Sequence, residues 1–176
     1  METGYKIYMV FMALFLAPIL LAPQITMASE SMGQLVQDAY RLTCHQIDSR
    51  SICFFPATGE YGDCAAQGEM ANTRKPIVTY NGIEGYKLPV CSRDIGIYVF
   101  ALISGMAMYF MKKSNDLQTP HPIYFIIALI PVALDGGTQL IGLRESTNLL
   151  RLITGGIAGF AFPFFLVPIM NRLMKK

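Results

Sequence analysis

The chain has 176 residues, of which 53% are hydrophobic and 15% charged, and its formal net charge is +2. A chain this apolar and of this size, with a mean hydropathy of +0.40, is not an ordinary soluble domain and is expected to be a polytopic membrane protein. The net charge is too small to suggest a nucleic-acid partner, and the Walker, GxGxxG, HExxH and GxSxG signatures of common soluble enzymes are absent.

Residues 7–27 form the first apolar run, long enough to cross a hydrocarbon core that takes about 20 residues. A retained span is preferred to a cleaved signal peptide, because the run exceeds a usual signal core and Pro18 and Pro23 interrupt it. Residues 29–48 predict an amphipathic helix, capped by Ser29 or Ser31, with Met32, Leu35, Val36, Ala39 and Leu42 as its apolar stripe. Helical spacing would put Gln37, Arg41, Cys44 and Asp48 near one polar face.

Residues 52–90 are glycine-rich and irregular, with a short hairpin expected between Ile77–Tyr80 and Tyr86–Val90. Segment 28–94 carries eight acidic and six basic residues, so it is solvated. It contains all four cysteines, Cys44, Cys53, Cys64 and Cys91, with no CxxC pair among them.

The second apolar run, 95–111, begins directly after Cys91-Ser92-Arg93-Asp94, where Asp94 suits a helix start. Lys112 and Lys113 end it, and His121 is a loop histidine between two prolines. The third run, 123–141, carries Asp135 roughly 18 Å along its length. A charge at such depth costs about 2.5–3.5 kcal/mol on insertion scales and calls for a partner. Asp135, Thr138 and Gln139 share a face, next to Gly136 and Gly137. After Arg144-Glu145-Ser146-Thr147-Asn148, with Ser146 or Thr147 as a helix cap, the last run, 149–170, holds Arg151 one turn inside. Asn148 and Arg151 point the same way, and Gly155, Gly156 and Gly159 suit close helix packing.

The fold expected is therefore all-α: one integral membrane domain with four transmembrane helices, an amphipathic helix and an irregular loop stapled by a disulfide. Lys6, Lys112, Lys113, Arg172, Lys175 and Lys176 fall on one side, so the positive-inside rule makes the protein a multi-pass cell-membrane protein with both termini cytoplasmic. Segment 28–94, the end of the third span and the 144–151 turn then share the outer face, where they build a polar pocket. An outward position permits disulfides. Cys53 and Cys64 suit one bridge; Cys44 and Cys91 remain open between a second bridge, metal ligands together with His45, and reactive thiols.

Four ordered motifs carry a resemblance: CHQxxxRS at 44–51, CxRDxGIY at 91–98, PVALDGGTQ at 131–139 and RESTNxxR at 144–151. Together they resemble the domain of unknown function 2085 family of small membrane proteins. The resemblance implies a helical membrane protein whose polar motifs form one site, and supplies no reaction. The 54–85 stretch with Cys53 and Cys64 departs from the family's shorter link, which favours a local staple there and a site role for Cys44 and Cys91.

The leading functional expectation is an outward site for a small anionic or lipid-headgroup ligand. Arg93, Arg144 and Arg151, with Asn148 and Thr138, would bind it; Asp135 or Asp94, with Gln139, would serve catalysis; Cys44, His45 and Cys91 would hold zinc, copper or iron. The alternatives are a non-catalytic subunit among other membrane proteins, its polar residues acting as buried glue, and a four-span thiol–disulfide oxidoreductase. The lipid bilayer is a partner in every case.

Overall fold

A computed structural model describes residues 2–67, 69 and 73–175. Four of its helices are long and apolar enough to cross a membrane: α1 (Thr3–Ala28), α3 (Ser92–Phe110), α4 (Pro122–Leu140) and α5 (Asn148–Met174). Their alternation puts both ends of the described chain and the 111–121 turn at one end of the bundle. A short helix, α2 (Glu30–Ala39), a small sheet and the 141–147 turn lie at the other. Asn171 ties the first end together, accepting from the Tyr5 N–H at 2.9 Å and donating to the carbonyls of Ser114 and Asp116.

The expectation of an all-α fold is corrected by an antiparallel sheet of four strands, in the order β2-β1-β4-β3. The strands are β1 (Ser51–Phe55), β2 (Glu60–Asp63), β3 (Ile77–Tyr80) and β4 (Ile83–Cys91). The hairpin expected at 77–90 is present, turning at Asn81-Gly82 where both residues have positive φ. The irregular stretch was misjudged because β1 is only five residues long and pairs across a long interval, Cys53 opposite Lys87 and Phe54 opposite Tyr86. Local periodicity carries no trace of such a pairing. Pro89 is tolerated inside β4 because the register shifts between Ser51 and Cys53, past the end of β3. Cys53 and Cys64 are disulfide-bonded, and their buried sulfurs pack with Val78 and Phe55.

The predicted helix over 29–48 also needs correction. α2 stops at Ala39, a 3-10 turn follows at Tyr40–Leu42, and residues 44–47 are extended or irregular. Cys44 and Asp48 therefore leave the face they would have shared with Gln37. The stripe is split as well: Val36 packs on the core beside buried Gly33 and Gln37, whereas Met32, Leu35, Ala39 and Leu42 are exposed.

α3 and α5 form the most extensively packed helix pair. Glycines permit it: a Cβ on Gly96 would strike the Leu152 carbonyl, one on Gly155 the Arg93 carbonyl, and one on Gly159 the Ile97 carbonyl. α1 lies along both, burying Tyr5, Tyr8, Met12, Leu16 and Ile19 at helical spacing. Its buried tyrosine hydroxyls donate to α3 carbonyls, Tyr5 to Gly105 at 3.1 Å and Tyr8 to Ala101 at 2.9 Å. Leu88 and Val90 of β4 rest on Leu16, Ile19 and Ile95, which seats the sheet on the helix ends. α4 is peripheral, and Asp135 is its one buried residue among those described.

Gly159→Leu should destabilise the protein in detergent by about 1–3 kcal/mol of overpacking cost and lower its melting temperature. Gly137→Ala, whose added Cβ meets nothing within 4 Å, should leave stability unchanged or raise it by about 0.5–1 kcal/mol. Thermal-shift measurement with a thiol-independent probe checks both.

Candidate functional site

The site grows from the junction at which β4 becomes α3 without a loop. Cys91 is the last residue of β4 and the N-cap of α3, and Asp94 stands in the first turn of that helix. One turn of helix brings the Asp94 carboxylate back to the strand end, where the Cys91 thiol lies 3.0 Å from Asp94 Oδ2.

Cys44 arrives from the loop after α2. That loop is pinned by Gln46, a buried residue with φ of 55°, in the left-handed region. Its amide donates to the carbonyls of Gln37 at 2.6 Å and Pro89 at 2.8 Å. Below it Lys87 is fully buried, donating to Asp48 at 2.6 Å and to the Gln46 carbonyl at 3.2 Å. A buried ammonium is retained only when paired in this way. The loop thus holds Cys44 Sγ against β4, where it accepts the Cys91 N–H at 3.1 Å and the Gln46 N–H at 3.4 Å.

Cys44, Cys91 and Asp94 offer ligand atoms that all lie within 4.8 Å of one another. His45 lines the same cavity but stands outside this group, so the grouping departs from the Cys44, His45, Cys91 set expected from sequence. The reason is local: with no helix at 44–46, the loop turns Cys44 inward and leaves His45 exposed. The two thiols also differ. The neighbouring Cys91 thiol, helped by the two backbone N–H groups, lowers the pKa of Cys44. Cys91 is pushed well above the ordinary thiol value by its hydrogen bond with Cys44, then by burial and the negative charge around it.

A cavity of about 230 Å³ opens beside these groups. It is lined by Thr43, Cys44, His45, Gln46, Ile47 and Arg50 from the loop after α2, and by Cys91, Arg93, Asp94, Gln139 and Arg151 from the helix ends. Arg151 is 3% exposed. It donates to Asn148 Oδ1 at 3.4 Å and lies 3.7 Å from the Glu145 carboxylate, while its Nε has no protein acceptor. The Nε of Arg93 is likewise buried without one.

Asp135 does not line this cavity. It is 2% exposed and lies behind Arg93, bridged by Arg93 and by Arg144 at 3.0 Å. Gly136 leaves the space the Arg93 guanidinium occupies, since an added Cβ would come within 3.3 Å of it. Asp135 thus backs Arg93 and is not among the residues that line the cavity. Thr138 bonds the Leu134 carbonyl and accepts from Arg144, and Gln139 donates to Glu145 at 2.9 Å. Asn148, expected to bind ligand, spends its side chain on the protein: it accepts from Ser92 and donates to Asp63 and to the Ser49 and Ser51 carbonyls. It clamps the sheet to α5. Thr147 caps that helix as expected, accepting from the Leu150 N–H at 3.2 Å.

Thr43, Gln46, Ile47 and Arg50 line the cavity without being expected from sequence, and Arg50 is the charged one among them. Its position inside CHQxxxRS was the available signal.

Residues 82–165 match the family described as predicted membrane protein (DUF2085). Over its whole length the chain is 37% identical to the uncharacterized protein MJ1492 of Methanocaldococcus jannaschii, covering 98% of that protein. The chain belongs to the DUF2085 family of predicted membrane proteins. A second relative, an uncharacterized protein of Methanothermobacter thermautotrophicus, is 38% identical over 58% of this chain and 85% of its own. No solved structure matches. The match at 82–165 takes in the Cys91–Asp94 junction, Asp135 and the 144–151 turn, and begins after the Cys44 loop and the Cys53–Cys64 bridge.

Two outcomes are expected. Asp135→Leu leaves two arginines without their shared counter-ion and should cost about 3–5 kcal/mol, whereas Arg144→Gln, at a partner half exposed to solvent, should cost under about 1 kcal/mol; thermal melts compare them. In metal-free protein, Cys44 should alkylate faster than Cys91, and its rate should persist to lower pH because its thiolate forms first. Mass mapping after brief maleimide treatment across a pH series checks the order, and equal labelling would contradict it.

Proposed function

We propose that the protein is a membrane-embedded, outward-facing site that holds a transition metal at Cys44, Cys91 and Asp94 and an anionic ligand at Arg50, Arg93 and Arg151. The observation that carries this reading is the convergence of three guanidinium groups on one cavity whose wall contains the two thiols and the carboxylate.

The donor set fits zinc or another thiolate-binding metal, with copper and iron as the other members of that class. Two sulfurs and one oxygen leave a fourth position for water or ligand, and a metal so bound would supply Lewis acidity toward whatever reached that position. Arg93 and Arg151 supply forked donors for a phosphate or carboxylate. Arg151 supports this most directly, since its Nε lacks an acceptor in the protein although it is buried. Asp135 keeps Arg93 in place from behind. Lys6, Lys112, Lys113, Arg172 and Lys175 cluster at the opposite end of the bundle, which supports an outward cavity and cytoplasmic termini.

A second reading is favoured by the closeness of the Cys44 and Cys91 sulfurs, which lie within 4.8 Å of each other. Such a pair would cycle between dithiol and disulfide by exchange with a partner's dithiol or disulfide, in a four-span oxidoreductase.

Elemental analysis of protein purified without chelators separates the readings. The metal reading expects one ion per chain, lost in Cys44→Ala and in Cys91→Ala and retained in His45→Ala. Metal-free protein isolated with a Cys44–Cys91 bridge would replace it with the redox reading. A membrane-impermeant maleimide should label Cys44 in right-side-out vesicles after chelation and reduction; labelling only after lysis would reverse the orientation.

A further inference from the structure

The surroundings of the cavity bear on where its ligand comes from. α2 is partly inverted. Gln37 and Gly33 are buried against the protein and Val36 packs on the core, while Met32 and Leu35 are exposed among the exposed Ser31 and Asp38. Exposed apolar side chains interleaved with polar ones suit a helix lying in the membrane interface.

The same inversion continues around the cavity. Leu42 is 97% exposed and adjoins Thr43 in the cavity wall. Leu140 is 87% exposed and adjoins Gln139, another lining residue, followed by the strongly exposed Ile141 and Leu143. Apolar side chains so fully exposed on both flanks of a cavity lined by arginines mark a boundary between hydrocarbon and headgroups. Leu140, Ile141 and Leu143 continue the exposed face of α4, where Asp135 alone is buried among the described residues, so that apolar surface runs up to the cavity rim.

We infer that the cavity opens sideways into the outer leaflet and takes the phosphate of an anionic membrane lipid, its acyl chains remaining in the bilayer beside Leu42, Leu140 and Leu143. Charge complementarity selects the headgroup: Arg50, Arg93 and Arg151 line the cavity, and Asp94 is its one carboxylate, drawn toward Cys91. The volume, about 230 Å³, suits a phosphate with a small substituent and excludes the two chains of a lipid, which must stay outside. This inference rests on the anion-binding reading above and adds the source and class of the ligand.

Native mass spectrometry and competition binding on the full chain in detergent micelles provide the test. The probes are a diacyl phosphatidylglycerol, a diacyl phosphatidylcholine and water-soluble glycerol phosphate. Phosphatidylglycerol should be retained preferentially. Arg50→Gln should weaken it about tenfold, as expected for loss of one charge-assisted hydrogen bond. Leu42→Asn combined with Leu143→Asn should weaken the lipid while leaving glycerol phosphate binding unchanged. All three positions lie outside the packed helix interface, which keeps the variants foldable. Glycerol phosphate binding as tightly as the lipid, with the same arginine dependence, would overturn lateral entry and leave the anion site standing. Lipid retention indifferent to Arg50 and to headgroup charge would overturn both.

Discussion

A carboxylate placed in an apolar helix must find a cation, and the arrangement of this protein's outer helix follows from how Asp135 does so. α4 has no other buried residue among those described. Packing alone gives it little reason to keep one rotation against α5. The pairs with Arg93 and Arg144 supply that reason, because turning α4 away would leave three charges unpaired near the hydrocarbon boundary. The same contact works in the other direction. With one amino group committed to Asp135, the Arg93 guanidinium is held at the cavity wall with its Nε unused.

The cavity depends equally on two rigid junctions. Glycine contacts draw α3 and α5 together until backbone meets backbone, which sets Arg93 and Arg151 side by side. Each guanidinium has a carboxylate beside it: Asp135 pairs with Arg93, and Glu145 lies 3.7 Å from Arg151. The direct passage from β4 into α3 then places Cys91 and Asp94 on the rim, and the Lys87–Asp48 pair and Gln46 hold the Cys44 loop against the same strand. The thiols meet because a sheet, not a helix, carries them.

Several parts of this architecture were legible beforehand. Four apolar runs announced four helices, since membrane length imposes a minimum on each. Asp135, Arg93, Arg144 and Arg151 stood out because charge in or beside an apolar run is costly, and that cost calls for a partner without naming it. Gly155 and Gly159 announced close packing for a similar reason: only glycine permits backbone contact. The Cys53–Cys64 bridge joins residues close in sequence, so little chain entropy opposed the guess. The sheet was not legible, because β1 pairs with a strand some thirty residues away. The length of α2 was not legible either. Its apolar stripe signalled a helix correctly, but periodicity cannot say whether the apolar side meets protein or lipid.

By itself, then, the sequence determined which residues could not be left alone: the charges in the spans, the paired cysteines of the long segment, and the glycines at crowded positions. Those are matters of local chemistry, readable from residue type and solvent. Only the tertiary structure decided who answers whom. It gave Asp94 and not His45 to the thiol pair, made Asp135 a support for Arg93 where a base had been expected, turned Asn148 into a clamp, and brought Arg50 into the cavity. Each depends on a long-range strand pairing or a helix rotation. Such pairings are selected by the summed burial of many residues, and no single motif encodes that sum.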